Sequence, residues 1–85
     1  GAALAVRKEV AREIEGFDKK LFHYTDDLDF SWRVWITGFR IVLAPKAKIY
    51  HHIKIHNPNY KLYYHLSKNS IRMILKNYEI LIYLN

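Results

Sequence analysis

The 85-residue sequence predicts a mixed α/β fold, in the order strand, helix, helix, strand, strand, helix. Three observations carry this. The chain opens on an apolar run, Ala2–Val6. Apolar residues recur at helical spacing after Thr25 and again after Tyr60. Between those segments, RIVLAP is closed by Pro45 and KAKIYHHIKI alternates in part, and both read as strands.

Taken in order, residues 1–8, GAALAVRK, read as a short buried strand, because the run is apolar without alternation. Their alanines leave a helix open. KEVAREIEGF reads as a short helix with Val10 and Ile14 on one face. Gly16 is placed to end it in the left-handed conformation. Residues 18–24 form a loop. Thr25 is a suitable N-cap for the second helix, and Asp26 and Asp27 then fall in a first turn that favours negative charge. Leu28, Trp32, Trp35 and Ile36 form one apolar stripe, and Gly38 ends the helix. Asn57-Pro58 starts the last helix, with a capping side chain followed by a proline that needs no N–H there. Residues 60–83 continue it with apolar positions 62, 66, 71, 74, 75, 78, 81 and 82.

Composition bounds the function. A chain of this length makes at most one small domain of marginal stability. With 51% hydrophobic residues it is not a disordered tail, and with no cysteine it forms neither disulfides nor cysteine-ligated metal sites. Arg7, Lys8 and Glu9 break the first apolar run, so no signal peptide is legible. No apolar stretch reaches the roughly 18 residues of a membrane span. Residues 1–45 hold seven basic and seven acidic side chains, whereas residues 46–85 hold seven basic and one acidic, so the whole net charge of +6 lies in the second half. That asymmetry points to an anionic partner or to solubility alone. Both ends fall within apolar runs, which predicts a piece of a longer protein: a single partial domain over 1–85, with a first part of about 1–56 and a C-terminal helix of about 58–84.

The stretch TDDLDFSWR, Thr25–Arg33, fuses three carboxylates to an aromatic run. The plain structural account of Asp26 and Asp27 is dipole complementation, worth about 0.3–1 kcal/mol each. Asp29 and Arg33 are four apart and can pair on the helix flank. The functional account is a general base or a metal site, since neighbouring carboxylates raise one another's proton affinity.

The ordered set Gly1-Ala2, Arg7, Gly16-Phe17-Asp18, Asp26-Asp27-Leu28-Asp29, Arg33, Gly38-Phe39-Arg40, Pro45 and His51 resembles the second half of a family 2 glycosyltransferase catalytic domain. The resemblance covers residues 1–52 well and 58–78 more loosely. It implies an inverting enzyme with the Rossmann-like GT-A fold, which transfers a sugar from a nucleotide-diphosphate donor to an acceptor hydroxyl. Glu15 stands where the family's turn has its first glycine, and Asp26 where the family usually has Glu.

Carried over residue by residue, the resemblance makes Asp27 the catalytic base and lets Asp26 shape the charge around it. It makes the Asp29–Arg33 pair a support for the helix. His51 would help to hold a divalent metal, Mn²⁺ more readily than Mg²⁺, or the diphosphate. A plain strand histidine bonded to backbone is the alternative. His52 faces the other way on a regular strand, and His23, His56 and His65 fit no ligand spacing. Tyr24 and Trp32 could stack on the acceptor sugar. The donor's nucleotide half is expected outside these residues, so the chain alone is expected to be catalytically silent. The implied acceptor is a saccharide or a lipid-linked sugar, and the implied location is the cytoplasm or the cytoplasmic face of a membrane.

Two other functions fit parts of the chain. Lys61, Lys68, Arg72 and Lys76 with Tyr60, Tyr63, Tyr64 and Tyr78 could form a nucleic-acid surface. No nucleic-acid motif accompanies them, so none is expected to bind. Residues 60–84 could instead lie on a membrane surface. Cut from its sheet, the piece is expected either to self-associate or to fold the last helix back over Trp32 and Trp35.

Overall fold

The computed structural model describes residues 2–21, 24–53 and 59–84, the last six of these as helical backbone alone. It contains α1 (Lys8–Glu13), α2 (Asp26–Ile36) and α3 (Tyr60–Leu84). No strand occurs among the described residues, which corrects the α/β expectation and, with it, the Rossmann-like sheet. The reason is that a strand exists only through a partner's hydrogen bonds. Residues 2–7 and 40–53 have the apolar content for pairing but find no ladder, and all of them are exposed. The chain does reverse at Pro45, where Ala47 N–H donates to Ala44 O at 3.1 Å with proline at the second position of the turn. Residues 54 and 55 of the expected strand, His23 and His56 lie outside the described residues.

The first helix forms where its periodicity predicts. Val10 is buried and Ile14 half-buried, and both pack on Phe30 and Val34 of α2. Its end is a Schellman turn. Gly16 N–H reaches Ala11 O at 2.9 Å and Glu15 N–H reaches Arg12 O at 3.1 Å. Gly16 is left-handed as expected, with φ +69°, but Glu15 before it is left-handed too, with φ +64°. The departure from a double glycine therefore keeps the backbone path and puts a side chain where none is favoured.

The second helix closes in the same way. Gly38, at φ +96°, donates to Trp35 O at 3.0 Å, and Phe39 donates to Val34 O at 3.2 Å. Phe39 then folds onto the Val10–Phe30–Val34 cluster. Two expectations fail here. Thr25 occupies the N-cap position, yet it sits at φ +60° and makes no side-chain cap bond. A capping side chain needs extended backbone to reach the first-turn N–H groups, and left-handed backbone aims it away. The buried face is also rotated. Asp29, Phe30 and Val34 face inward, while Leu28 and Trp35 of the expected stripe are 61% and 67% exposed. Phe17 fixes this rotation by stacking on Phe30 at 4.6 Å between ring centres.

The third helix is capped by Asn59, whose Oδ1 accepts Leu62 N–H at 2.9 Å; the expected Asn57-Pro58 start lies outside the described residues. It crosses α2 with Tyr78 edge-on to Trp32 at 5.3 Å. It covers Trp32 and leaves Trp35 open. Among its described side chains the buried ones are Asn69 and Asn77, while Leu66, Ile71, Ile74 and Leu75 are exposed. Side chains 81 and 82 of the expected stripe lie outside the described residues. No helix among the described residues is long and apolar enough to cross a membrane.

The two helix ends make opposite predictions. Glu15→Gly relieves a left-handed non-glycine residue and should raise unfolding stability by about 1 kcal/mol. Gly38→Ala meets no atom within 4 Å, so its cost is backbone strain alone and should be of similar size and opposite sign. Urea denaturation followed by circular dichroism measures both. A lower midpoint for Glu15→Gly would contradict the turn geometry.

Candidate functional site

The residues singled out in the sequence collect around the first turns of α2, held by a buried ionic network. Asp29 is fully buried. Its Oδ2 accepts from Arg33 Nε at 2.9 Å, and its Oδ1 accepts from Asn77 Nδ2 at 2.8 Å and pairs with Lys76 Nζ at 2.7 Å. Arg33 reaches further, donating Nη1 to Ile14 O and Nη2 to Gly16 O, both at 2.7 Å. Those carbonyls end α1, where a cation is electrostatically favoured. One carboxylate thus orients an arginine that ties α1 to α2, and also receives two side chains of α3.

Asp18, from the Gly16-Phe17-Asp18 turn, makes the second half of the network. Its Oδ2 accepts from Arg72 Nε at 3.1 Å and Lys76 Nζ at 2.9 Å, and its Oδ1 accepts Lys20 N–H at 3.0 Å. Burial pushes its carboxyl up. The bonds from Lys76, Lys20 N–H and Arg72, with the Lys76 charge, outweigh that and hold it at about 2, against an ordinary 3.8. Asn69 Nδ2 fastens the intervening loop by donating to Leu21 O at 2.7 Å and Tyr24 O at 3.2 Å.

Above this base sit Asp26 and Asp27, both half-buried in the first turn of α2. Asp27 Oδ1 accepts Leu28 N–H at 3.0 Å. The two residues before them, Tyr24 at φ +69° and Thr25 at φ +60°, are both left-handed. That is an outlying conformation for a β-branched threonine. Thr25 is buried, and its Oγ1 has no hydrogen-bond partner among the described residues. Strain of this kind clusters at functional sites.

The other expected site residues are Tyr24, Trp32 and His51. Tyr24 is half-buried, and Trp32 is half-buried against Tyr78. His51 is exposed on the irregular segment after the Pro45 turn. Among the described residues, no three His, Cys, Asp or Glu side chains come together as a metal group. Concavities lined by described residues include the following two. One lies among Ile14, Arg33, Ile36 and Thr37, the other among Lys20, Lys68, Ile71, Arg72, Leu75 and Lys76. Asp27 lines neither.

Sequence reasoning missed Asp18, Asn69 and Asn77 as members of the network. It also read Arg72 and Lys76 as surface cations. The signal was present: Asn69, Arg72, Lys76 and Asn77 recur at helical spacing, a polar stripe inside an apolar helix.

Comparison with known proteins gives two findings. Residues 1–68 match the family described as "Glycosyl transferase family group 2". The chain is also similar to proteins named N-acetylglucosaminyl-diphospho-decaprenol L-rhamnosyltransferase from two strains of Mycobacterium tuberculosis, CDC 1551 / Oshkosh and ATCC 25618 / H37Rv. Each is 35% identical over 52 residues, 61% of this chain and 17% of the relative's length. No solved structure matches the chain.

The network predicts unequal effects within one acidic cluster. Asp29→Ala removes a buried carboxylate from the half-buried cations Arg33 and Lys76 and should cost about 3 kcal/mol, whereas Asp26→Ala removes a dipole contact worth less than about 1 kcal/mol. Equal losses in denaturant melts would contradict this. Asp18 adds a pH dependence. Its folded value lies below its unfolded one, so its contribution is complete above pH 3.8 and is lost as pH falls from 3.8 through about 2. Acid unfolding of Asp18→Asn should lack that component.

Proposed function

The chain belongs to glycosyl transferase family group 2, and from that membership we propose that it is the base-bearing part of an enzyme that moves a sugar from a nucleotide-diphosphate donor to an acceptor hydroxyl. Asp27 is the base. Its carboxylate takes the proton of the acceptor hydroxyl as that oxygen bonds to the anomeric carbon. The bond from that carbon to the donor phosphate breaks, and its electron pair leaves with the nucleoside diphosphate. Attack opposite the leaving group inverts the configuration in one displacement.

The observation that carries this reading is the mounting of Asp27. It stands on the first turn of α2, next to Asp26 and after two left-handed residues. The helix below it is fixed to α1 through Arg33 and to α3 through Lys76 and Asn77. A base works only if it is held within hydrogen-bond reach of its proton, and a rigid support supplies that. Asp26 adds negative charge beside it, and Asp29 and Arg33 position the helix without touching substrate. Tyr24 and Trp32 flank the acceptor side as stacking surfaces.

His51 is proposed to meet the donor diphosphate. The described residues do not by themselves make a site for a divalent metal, Mn²⁺ or Mg²⁺, because no three His, Cys, Asp or Glu side chains come together among them. The donor's nucleotide site is assigned outside these 85 residues, so the chain by itself is catalytically silent. The relatives' name carries a decaprenol diphosphate. That supports a lipid-linked acceptor here, and a working position in the cytoplasm or at the cytoplasmic face of a membrane.

The test is Asp27→Asn in the whole enzyme. Turnover should fall by about 10²–10⁴-fold, the usual contribution of a general base, while donor affinity measured by titration stays unchanged. Matching losses of turnover and donor binding would sink the assignment.

A further inference from the structure

The outward side of α3 combines cations and hydrocarbon in a way that the transferase reading does not use. Lys20, Lys68, Arg72 and Lys76 surround an open concavity of about 530 Å³ whose remaining lining is Ile71 and Leu75. These two aliphatic side chains are 60% and 66% exposed. Of the four cations, Lys76 is engaged by both Asp18 and Asp29. Arg72 gives only its Nε to Asp18, and its two terminal nitrogens have no partner among the described residues. Lys68 leans over the Tyr64 ring at 5.7 Å and makes no ion pair there. Lys20 makes no side-chain bond among the described residues and is exposed.

Two lysine ammonium groups and the free edge of a guanidinium suit a phosphate, which arginine grips through paired N–H donors. Exposed isoleucine and leucine beside them suit an apolar chain joined to that phosphate. Free phosphate would leave the aliphatic lining unused, and a nucleic acid would call for stacked rings there. Along the same helix, Ile74 extends the outward apolar line, and Tyr60, Tyr63 and Tyr64 are exposed near its start. Amphipathic interfacial helices have this composition: aliphatic residues inward to the lipid, with tyrosines and lysines at headgroup level. The charge agrees, since the net +6 of the chain lies wholly in residues 46–85.

We infer that this face of α3 rests on an anionic lipid surface, with one lipid phosphate held in the Lys20–Lys68–Arg72 concavity and Ile71 and Leu75 set against acyl chains. The inference goes beyond the transferase reading and does not depend on Asp27.

Sedimentation of the full chain with phosphatidylglycerol/phosphatidylcholine vesicles, and with phosphatidylcholine alone, tests it. Binding should require the anionic lipid and weaken with salt. Lys20→Ala with Lys68→Ala should lower partitioning about 25-fold, since each cation near an anionic surface contributes about fivefold. Both lysine side chains lie outside the buried network, which uses only the backbone N–H of Lys20, so circular dichroism should show the helices intact. A fluorophore on Leu75→Cys should shift to the blue when anionic vesicles are added. Equal binding to neutral vesicles, no effect of the lysine pair, or no shift at position 75 overturns the inference. So does full displacement by millimolar inorganic phosphate, which would mark a free-anion site, or by a single-stranded oligonucleotide. Vesicle binding can fail while the whole enzyme's Asp27-dependent turnover stands, so the two readings fail separately.

Discussion

The buried carboxylate of Asp29 is the constraint on which the rest of this small structure depends. A charge taken out of water is costly unless partners replace the water. Here Arg33, Lys76 and Asn77 do so, and they come from two helices. The apolar core could not do the same task. Among the described residues only Val10, Leu21, Phe30 and Val34 are buried hydrophobics. What the chain lacks in apolar burial it replaces with directional contacts, and those contacts dictate which side of each helix faces inward.

That substitution explains the inverted amphipathicity of α3. Among its described side chains Asn69 and Asn77 are buried, Arg72 and Lys76 reach the network from the edge of the same face, and Ile71, Ile74 and Leu75 are exposed. The helix docks by hydrogen bonds to loop carbonyls and carboxylates at Leu21, Tyr24, Asp18 and Asp29. Its hydrocarbon is left for another surface. The Gly16-Phe17-Asp18 turn acquires a physical meaning from the same arrangement. Gly16 supplies a carbonyl to Arg33, Phe17 stacks on Phe30, and Asp18 anchors α3. These three neighbours hold three different contacts of one clasp.

Local features were legible in the sequence, and non-local ones were not. The helix at Lys8–Glu13, the left-handed Gly16, the glycine stop at Gly38 and the four-residue spacing of Asp29 and Arg33 all depend on residues close together in the chain. The strands expected at 1–8, 40–45 and 46–55 depend on partners, and apolar content alone cannot tell whether partners exist. The stripe Leu28–Trp32–Trp35–Ile36 misled for a related reason. Hydrophobic periodicity assumes that the buried face is the apolar one, and α2 instead turns toward a carboxylate. Likewise, Thr25 has the right chemistry for a cap but the wrong backbone angles. The ordered motif set was legible because it spans many positions, each weak by itself.

The two asparagines of α3 are eight residues apart, about 12 Å along the helix, and each is held by different acceptors. A slide of one turn would carry both away from their partners by about 5.4 Å at once. Neither neighbouring register offers an equivalent pair, because a four-residue slide brings His65 with Met73, or Met73 with Leu81, into their places. The described part of α3 therefore has one seated position and no sliding mode. Its amide protons along the docked stretch would exchange with solvent as a single cooperative unit, protected together and released together.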